Sequence, residues 1–141
     1  MYPGEQHILV VDHNPVRRQL IERVLKAEGL VVIAVAEGFS AIRAAGRQAF
    51  SLIVAALDLP GTLDGLETVR QARKLQPRLK ALFIGAGALA PRQAMGEFDD
   101  FIPAPFRRRE LIGCVFELLQ REFVPGADEF GRYSRTALQL R

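Results

Sequence analysis

Short apolar runs divide the chain at regular intervals, and each is the length of a β-strand. They are rich in β-branched residues, and several end in an acidic, glycine or proline residue, as buried parallel strands do. The runs cover residues 7–12, 30–36, 52–57, 79–84 and 98–103. The pattern therefore predicts five strands that are largely buried on both faces.

The segments between these runs show apolar residues at helical spacing. Asn14 and Pro15 supply an N-cap and a first-turn proline for the first helix, which we expect to end at Gly29 with Val16 and Leu20 on its buried face. Further helices follow the second and third strands, a short one is expected within residues 91–96, and a long one over 107–123. The sequence predicts five strands alternating with five helices.

This alternation with short connections predicts a doubly wound α/β fold, a five-stranded parallel sheet with helices on both faces. The strand order 2-1-3-4-5 is expected for this number of elements, with its switch point between strands one and three. That order places Asp12 and His13 beside the segment from Ala56 to Asp58. A functional site is expected there, because ligands of such sheets bind where the strand order reverses.

Composition changes this picture little. The 141 residues suit one domain, which we place at residues 7–123 between an N-terminal extension, 1–6, and a tail or short helix, 124–141. The lone Cys114, the absence of a membrane-length apolar run and the absence of a signal-peptide pattern predict a cytoplasmic protein without membrane contact. The net charge of +3 is read as solvated arginine, and no nucleic-acid partner is expected.

Three motifs carry a resemblance to a known family. They are ILVVDHNPVRRQLIERVLKAEG, SLIVAALDLPGTLDGLE and DDFIPAPFRRREL. Over residues 7–123 the chain closely resembles the receiver domain of bacterial response regulators. The resemblance implies a flavodoxin-like fold and a role in two-component phosphorelay signalling.

The resemblance also implies where the phosphoryl chemistry of that family would be. Its first strand ends in two acids, which fall here on Asp12 and His13, and its phospho-acceptor Asp falls on Ala56, four residues before Pro60. The family's Thr or Ser and its Lys fall on Gly85 and on Ala104. Of the catalytic set only Asp12 remains.

These replacements predict that the family mechanism does not operate. Alanine offers no nucleophile, and a single carboxylate beside an imidazole is a poor site for Mg²⁺, which prefers oxygen ligands. We therefore expect no enzymatic activity, no metal and no cofactor. The expected function is that of a degenerate receiver domain acting as a phosphorylation-independent interaction module.

The expected partners are proteins: a histidine kinase, another regulator or a second copy of this chain. The candidate interface residues are Phe101, at the family's switch aromatic, and the neighbouring Phe106, Arg107 and Arg108. In the family the face built by helix four, strand five and helix five commonly serves dimerisation. A homodimer through this face is therefore a possibility.

Two alternatives stay open. Asp58 lies two positions after Ala56 and could accept a phosphoryl group in a non-standard way. The small residues Ala56, Gly85 and Ala104 could instead leave a pocket at the switch point that binds a small ligand.

Overall fold

The computed structural model describes residues 4–87 and 90–123. They form one five-stranded parallel sheet with the order β2-β1-β3-β4-β5. The strands are β1 His7–Val11, β2 Val31–Val35, β3 Leu52–Ala56, β4 Lys80–Ala86 and β5 Asp99–Ala104. The predicted fold class and strand order are confirmed.

The helices differ in number from the prediction. The described residues contain α1 Pro15–Ala27, α2 Gly38–Ala45, α3 Gly65–Leu75 and α4 Arg108–Gln120. Between β4 and β5 there is only a 3-10 turn, Arg92–Ala94, so the expectation of a fifth α-helix is wrong. Pro91 precedes this turn and Gly96 follows it closely, which leaves too few residues for a helix to nucleate.

Two apolar cores lie on the two faces of the sheet. The α1–α4 core joins Ile21, Val24 and Leu25 of α1 to Leu111, Val115 and Leu118 of α4. The α2–α3 core joins Ala41 and Ala45 of α2 to Val69 and Ala72 of α3. Because every strand is covered on both sides, β3 is buried along its whole length.

Helix α1 does not bury the face that its first turns predict. Val16 and Leu20 are 77% and 46% exposed, and the buried face is formed by Ile21, Val24 and Leu25. Both sets of residues are apolar and have helical spacing, so the pattern alone could not choose between them. Packing against α4 and the sheet makes the choice.

Side-chain caps fix the starts of two helices. The Asn14 side chain accepts from the backbone N–H groups of Val16 and Arg17, both at 3.1 Å. Asp64 accepts from the backbone N–H of Glu67 at 2.8 Å. Both caps satisfy amides that have no partner within the helix, and they place both helix starts at the carboxyl edge of the sheet.

Buried charges anchor the opposite edge. Asp99 is paired with Arg73, whose Nε also donates to the carbonyl of Leu79 at 2.9 Å. Lys80 donates to the carbonyls of Leu119, at 3.1 Å, and of Arg121 at the end of α4. Burial lowers the pKa of the Lys80 ammonium, and the charge of Arg121 lowers it further. These contacts hold α4 against the start of β4.

None of the helices in the described residues is long and apolar enough to cross a membrane. The tail predicted for residues 124–141 lies outside the described part of the chain, and the domain boundaries remain predictions.

Gly65 provides a test of how α3 meets the sheet. A Cβ at this position would lie 2.1 Å from the carbonyl oxygen of Ala56. We expect Gly65→Ala to lower the free energy of unfolding by about 3 kcal/mol or more, because the backbone must shift. Urea unfolding measures this loss.

The matched control is Gly113→Ala in α4, where an added Cβ meets no atom within 4 Å. This change should raise stability by about 0.5–1 kcal/mol through helix propensity alone. Equal effects of the two substitutions would contradict the close approach of α3 to β3.

Candidate functional site

The switch point of the sheet brings the ends of β1 and β3 together. Val11 of β1 is in register with Ala55 of β3, and Ala56 is in register with Ile84 of β4. The residues that follow, Asp12 and Leu57, therefore begin two neighbouring loops at the same edge. This is the position in which the sequence predicted a site.

Asp12 is the buried acid of this site, with 1% of its surface exposed. Its Oδ1 accepts from the backbone N–H of Asn14 at 3.0 Å and from Nη2 of Arg17 at 3.0 Å. Its Oδ2 accepts from Nε of Arg17. Arg17 thus grips both carboxylate oxygens in the bidentate geometry that suits a guanidinium.

Sequence reasoning missed Arg17. The first turn of α1 contains no acidic residue, although a helix N-terminus favours acids over cations. Arg17 and Arg18 both lie in this turn, and both reach back to the end of β1, since Arg18 donates to the carbonyl of Asp12 at 2.9 Å. Two cations at an unfavourable helix position were the available signal.

Ala56 is the last residue of β3 and is 1% exposed. The start of α3 lies directly on it, because the backbone of Gly65 packs against its carbonyl group. The next residue, Leu57, donates its N–H to the carbonyl of Ile84 at 2.8 Å. The strand end therefore carries a methyl group that is enclosed by backbone, with no nucleophilic atom.

The other predicted pocket residues divide into two groups. Gly85 and Ala104 lie in β4 and β5 at the same edge, where Gly85 is paired with Pro103 and Ala104 with Ala86. The idea that the glycine-rich segment after residue 84 begins a turn is wrong for Gly85 and Ala86, which continue β4.

His13 and Asp58 both lie in loops at this edge and are exposed. His13 follows the buried Asp12 directly, and Asp58 follows β3 by two residues. Asp58 therefore does not share the buried face of Ala56.

The candidate interface residues differ in their accessibility. Phe101 is half-buried and packs against the α2–α3 core, while Phe106 is half-buried against the α1–α4 core. Arg107 and Arg108 are exposed. The backbone N–H of Arg107 donates to the Glu110 side chain at 2.7 Å, which caps the start of α4.

A shallow hollow of about 440 Å³ lies at the opposite end of the molecule from the switch point. It is lined by Gly4, Gln6, Glu28, Gly29, Leu30, Phe116 and Gln120. These residues precede β1, connect α1 to β2 or belong to α4, so the hollow is separate from the candidate site.

An all-parallel sheet of this order, with its candidate site at the β1–β3 switch point, defines a doubly wound α/β protein. A sequence profile described as "Response regulator receiver domain" matches residues 8–116. The chain therefore belongs to the response regulator receiver domain family, whose members are modules of two-component signalling.

Individual relatives agree with this assignment. The chain is 31% identical over 124 residues to the probable transcriptional regulatory protein TcrX of Mycobacterium tuberculosis, covering 86% of this chain and 53% of TcrX. It is 30% identical over 118 residues to the sensor protein GacS of Pseudomonas syringae, covering 78% of this chain and 13% of GacS. The chain thus spans about half the length of the first relative, 53%, and a small part of the second.

A solved structure shares both the sequence and the fold. It is the receiver domain of the sensor histidine kinase PA1611 from Pseudomonas aeruginosa, which has a magnesium ion coordinated in its active-site cleft. Its identity to this chain is 32%, the TM-score is 0.74, and the match covers 84% of this chain and 100% of that domain.

The residues of this site do not fit a magnesium ion. Both oxygens of Asp12 already accept hydrogen bonds, His13 offers nitrogen, and Ala56 offers no side-chain oxygen. Mg²⁺ requires near-octahedral oxygen coordination. Within residues 4–87 and 90–123 no group of three or more His, Cys, Asp or Glu side chains is arranged to hold a metal.

The burial of Phe101 leads to a test of its role. We expect Phe101→Ala to lower the free energy of unfolding by about 1–3 kcal/mol, less than for a fully buried ring, because it removes packing against the α2–α3 core. Phe39→Ala is the control, since Phe39 is 61% exposed; its effect should stay within about 0.5 kcal/mol. Equal urea midpoints for Phe101→Ala and wild type would show that the ring is not part of the core.

Proposed function

We propose that this chain is a degenerate receiver domain that works as a protein-interaction module without being phosphorylated. In this proposal Asp12, His13, Ala56, Gly85 and Ala104 are the remnants of the family's phosphorylation site. The module docks in one conformation and does not act as an enzyme. Its signalling role is carried by the surface that it presents.

The observation that carries the proposal is Ala56 at the end of β3. In the family an aspartate at this position attacks the phosphoryl group, and a methyl group cannot do so. Ala56 is also enclosed, with Gly65 packed on its carbonyl, so a phosphoryl group would find no room on it. Gly85 and Ala104 add that neither the hydroxyl nor the cation expected to bind a phosphate is present.

The partner is proposed to be a histidine kinase, another regulator or a second copy of the chain. The names of relatives support these classes, since GacS is a sensor protein and TcrX a probable transcriptional regulatory protein. The proposed docking surface is the start of α4, where Arg107 and Arg108 are exposed beside Phe106. The homodimer through the face of β5 and α4 is one version of this proposal, now without a helix between β4 and β5.

The two alternatives receive less support. The small-ligand alternative needs space at the switch point, but the start of α3 packs on Ala56 and Arg17 covers Asp12. Asp58 is exposed in a loop, two residues beyond the buried strand end and without a nearby family Lys or Thr. Both alternatives are outcomes of the tests below.

The central test is incubation with acetyl phosphate and Mg²⁺, followed by intact-protein mass spectrometry. We expect no covalent phosphate on the wild type, because the acceptor position carries no nucleophile. A receiver domain that retains its aspartate serves as the positive control. A stable adduct of one phosphoryl group on this chain would contradict the proposal.

The variant Asp58→Ala assigns any such adduct. Asp58 is exposed, so its replacement should not disturb the fold. Loss of the adduct in this variant would establish Asp58 as a non-standard acceptor. Persistence of the adduct would point to another residue.

A second test addresses the docking surface. We expect Arg107→Glu combined with Arg108→Glu to weaken partner capture or self-association by about tenfold, because the surface charge is reversed. The fold should survive, since acidic side chains are favoured at a helix N-terminus. Affinity capture with quantitative mass spectrometry measures the first effect, and sedimentation velocity measures the second.

The matched control is Arg47→Glu. Arg47 is exposed just after α2, on the other face of the sheet. It should leave capture and self-association unchanged. Equal behaviour of the α4 double variant and wild type would remove the start of α4 as the docking surface.

A further inference from the structure

We propose that Arg17 is a built-in counterion that takes the place of a divalent cation at Asp12 and closes this site to metal ions. The inference rests on the proposed function only in treating the switch point as the family's former phosphorylation site. It adds what neutralises the one acid that remains, and which residue does so.

The first step is the cost of burying Asp12. A carboxylate with 1% of its surface exposed must be compensated by charge and hydrogen bonds, or it is strongly destabilising. In family members that hold a magnesium ion, the ion can supply this charge. In this chain the guanidinium of Arg17 supplies it through Nε and Nη2.

The second step is that Arg17 is held in place before any ion arrives. Asn14 donates its N–H to Asp12, and its side chain accepts from the N–H of Arg17 at 3.1 Å. The Arg17 side chain returns to Asp12, which closes a ring of hydrogen bonds through three residues. The side chain of Arg17 is only 18% exposed, so little freedom remains for it to swing away.

The third step is competition. Asp12 Oδ1 has two donors and Oδ2 one, so a cation could bind only after the bidentate pair with Arg17 had opened. Charge-assisted bidentate pairs are among the strongest hydrogen bonds in proteins. An ion that displaced Arg17 would gain only one carboxylate, because His13 and Ala56 add no oxygen ligand.

The consequence is a fixed end of β1. The loop from Asp12 to Asn14 and the start of α1 keep one geometry whether or not divalent cations are present. This is what a module that docks in one conformation requires. Arg17 is accordingly a positioning residue for the surface around the switch point.

The test restores the missing carboxylates and asks whether Arg17 still excludes the metal. In the background His13→Asp with Ala56→Asp, Mn²⁺ affinity is measured by paramagnetic broadening of amide signals. Adding Arg17→Gln should tighten Mn²⁺ binding by about tenfold or more, since the bidentate pair no longer has to be broken. Equal affinity with and without Arg17 would overturn the inference.

Arg18→Gln in the same background is the matched control. Arg18 carries the same charge in the same helical turn, but it donates to the carbonyl of Asp12 rather than to its carboxylate. It should change Mn²⁺ affinity much less than Arg17→Gln does. Equal tightening by both variants would reduce the effect to general charge and would contradict a specific counterion.

A second measurement does not depend on that background, which may fold poorly because Ala56 is enclosed. In the native sequence, the thermal midpoint should be the same in EDTA and in millimolar Mg²⁺. Arg17→Gln should lower it by roughly 5–10 °C, since it leaves a buried carboxylate unpaired. Arg17→Gln with Asp12→Asn should recover much of this loss, whereas Arg18→Gln with Asp12→Asn should not.

A wild-type midpoint that rises with Mg²⁺, or a double variant no more stable than Arg17→Gln alone, would overturn the inference. Neither measurement uses a phosphodonor. Failure here therefore leaves the proposal of a phosphorylation-independent module to its own test, and the reverse also holds.

Discussion

The site depends on the electrostatic problem of a carboxylate buried at the end of β1. Asp12 follows a strand whose last four residues are buried, and its own surface is almost completely covered. A charge in such a place needs a fixed partner of opposite sign. Arg17 fills this need from the first turn of α1, and the same contact ties that helix to the strand end at which the sheet reverses its order.

The rest of the switch point is built by close backbone packing instead of polar chemistry. Gly65 lets α3 begin directly against the carbonyl of Ala56, and Asp64 caps that helix. A similar closeness holds between α2 and α3, where a Cβ on Gly38 would lie 2.4 Å from Oγ1 of Thr68. Small residues at these points make the carboxyl edge compact, which favours a surface for docking over a cavity for a ligand.

Much of the fold could be predicted because its signals are local. Apolar runs of strand length, the Asn14–Pro15 cap and Gly29 mark elements that the structure confirms within one or two residues. The number of helices was overestimated, since the segment around Pro91 has apolar residues but too little length. The inward face of α1 was also misassigned, because Val16 and Leu20 satisfy the same spacing as the residues that are buried.

The sequence by itself determined the order of elements, the family resemblance and the chemical identity of each strand end, including the methyl group at Ala56. These properties belong to single residues or short segments. Only the tertiary structure decided that Arg17 grips Asp12, that Phe101 belongs to a core and that Asp58 lies in an exposed loop. Side-chain partners depend on how helices settle on the sheet, and long flexible arginines can reach several groups that sequence spacing does not distinguish.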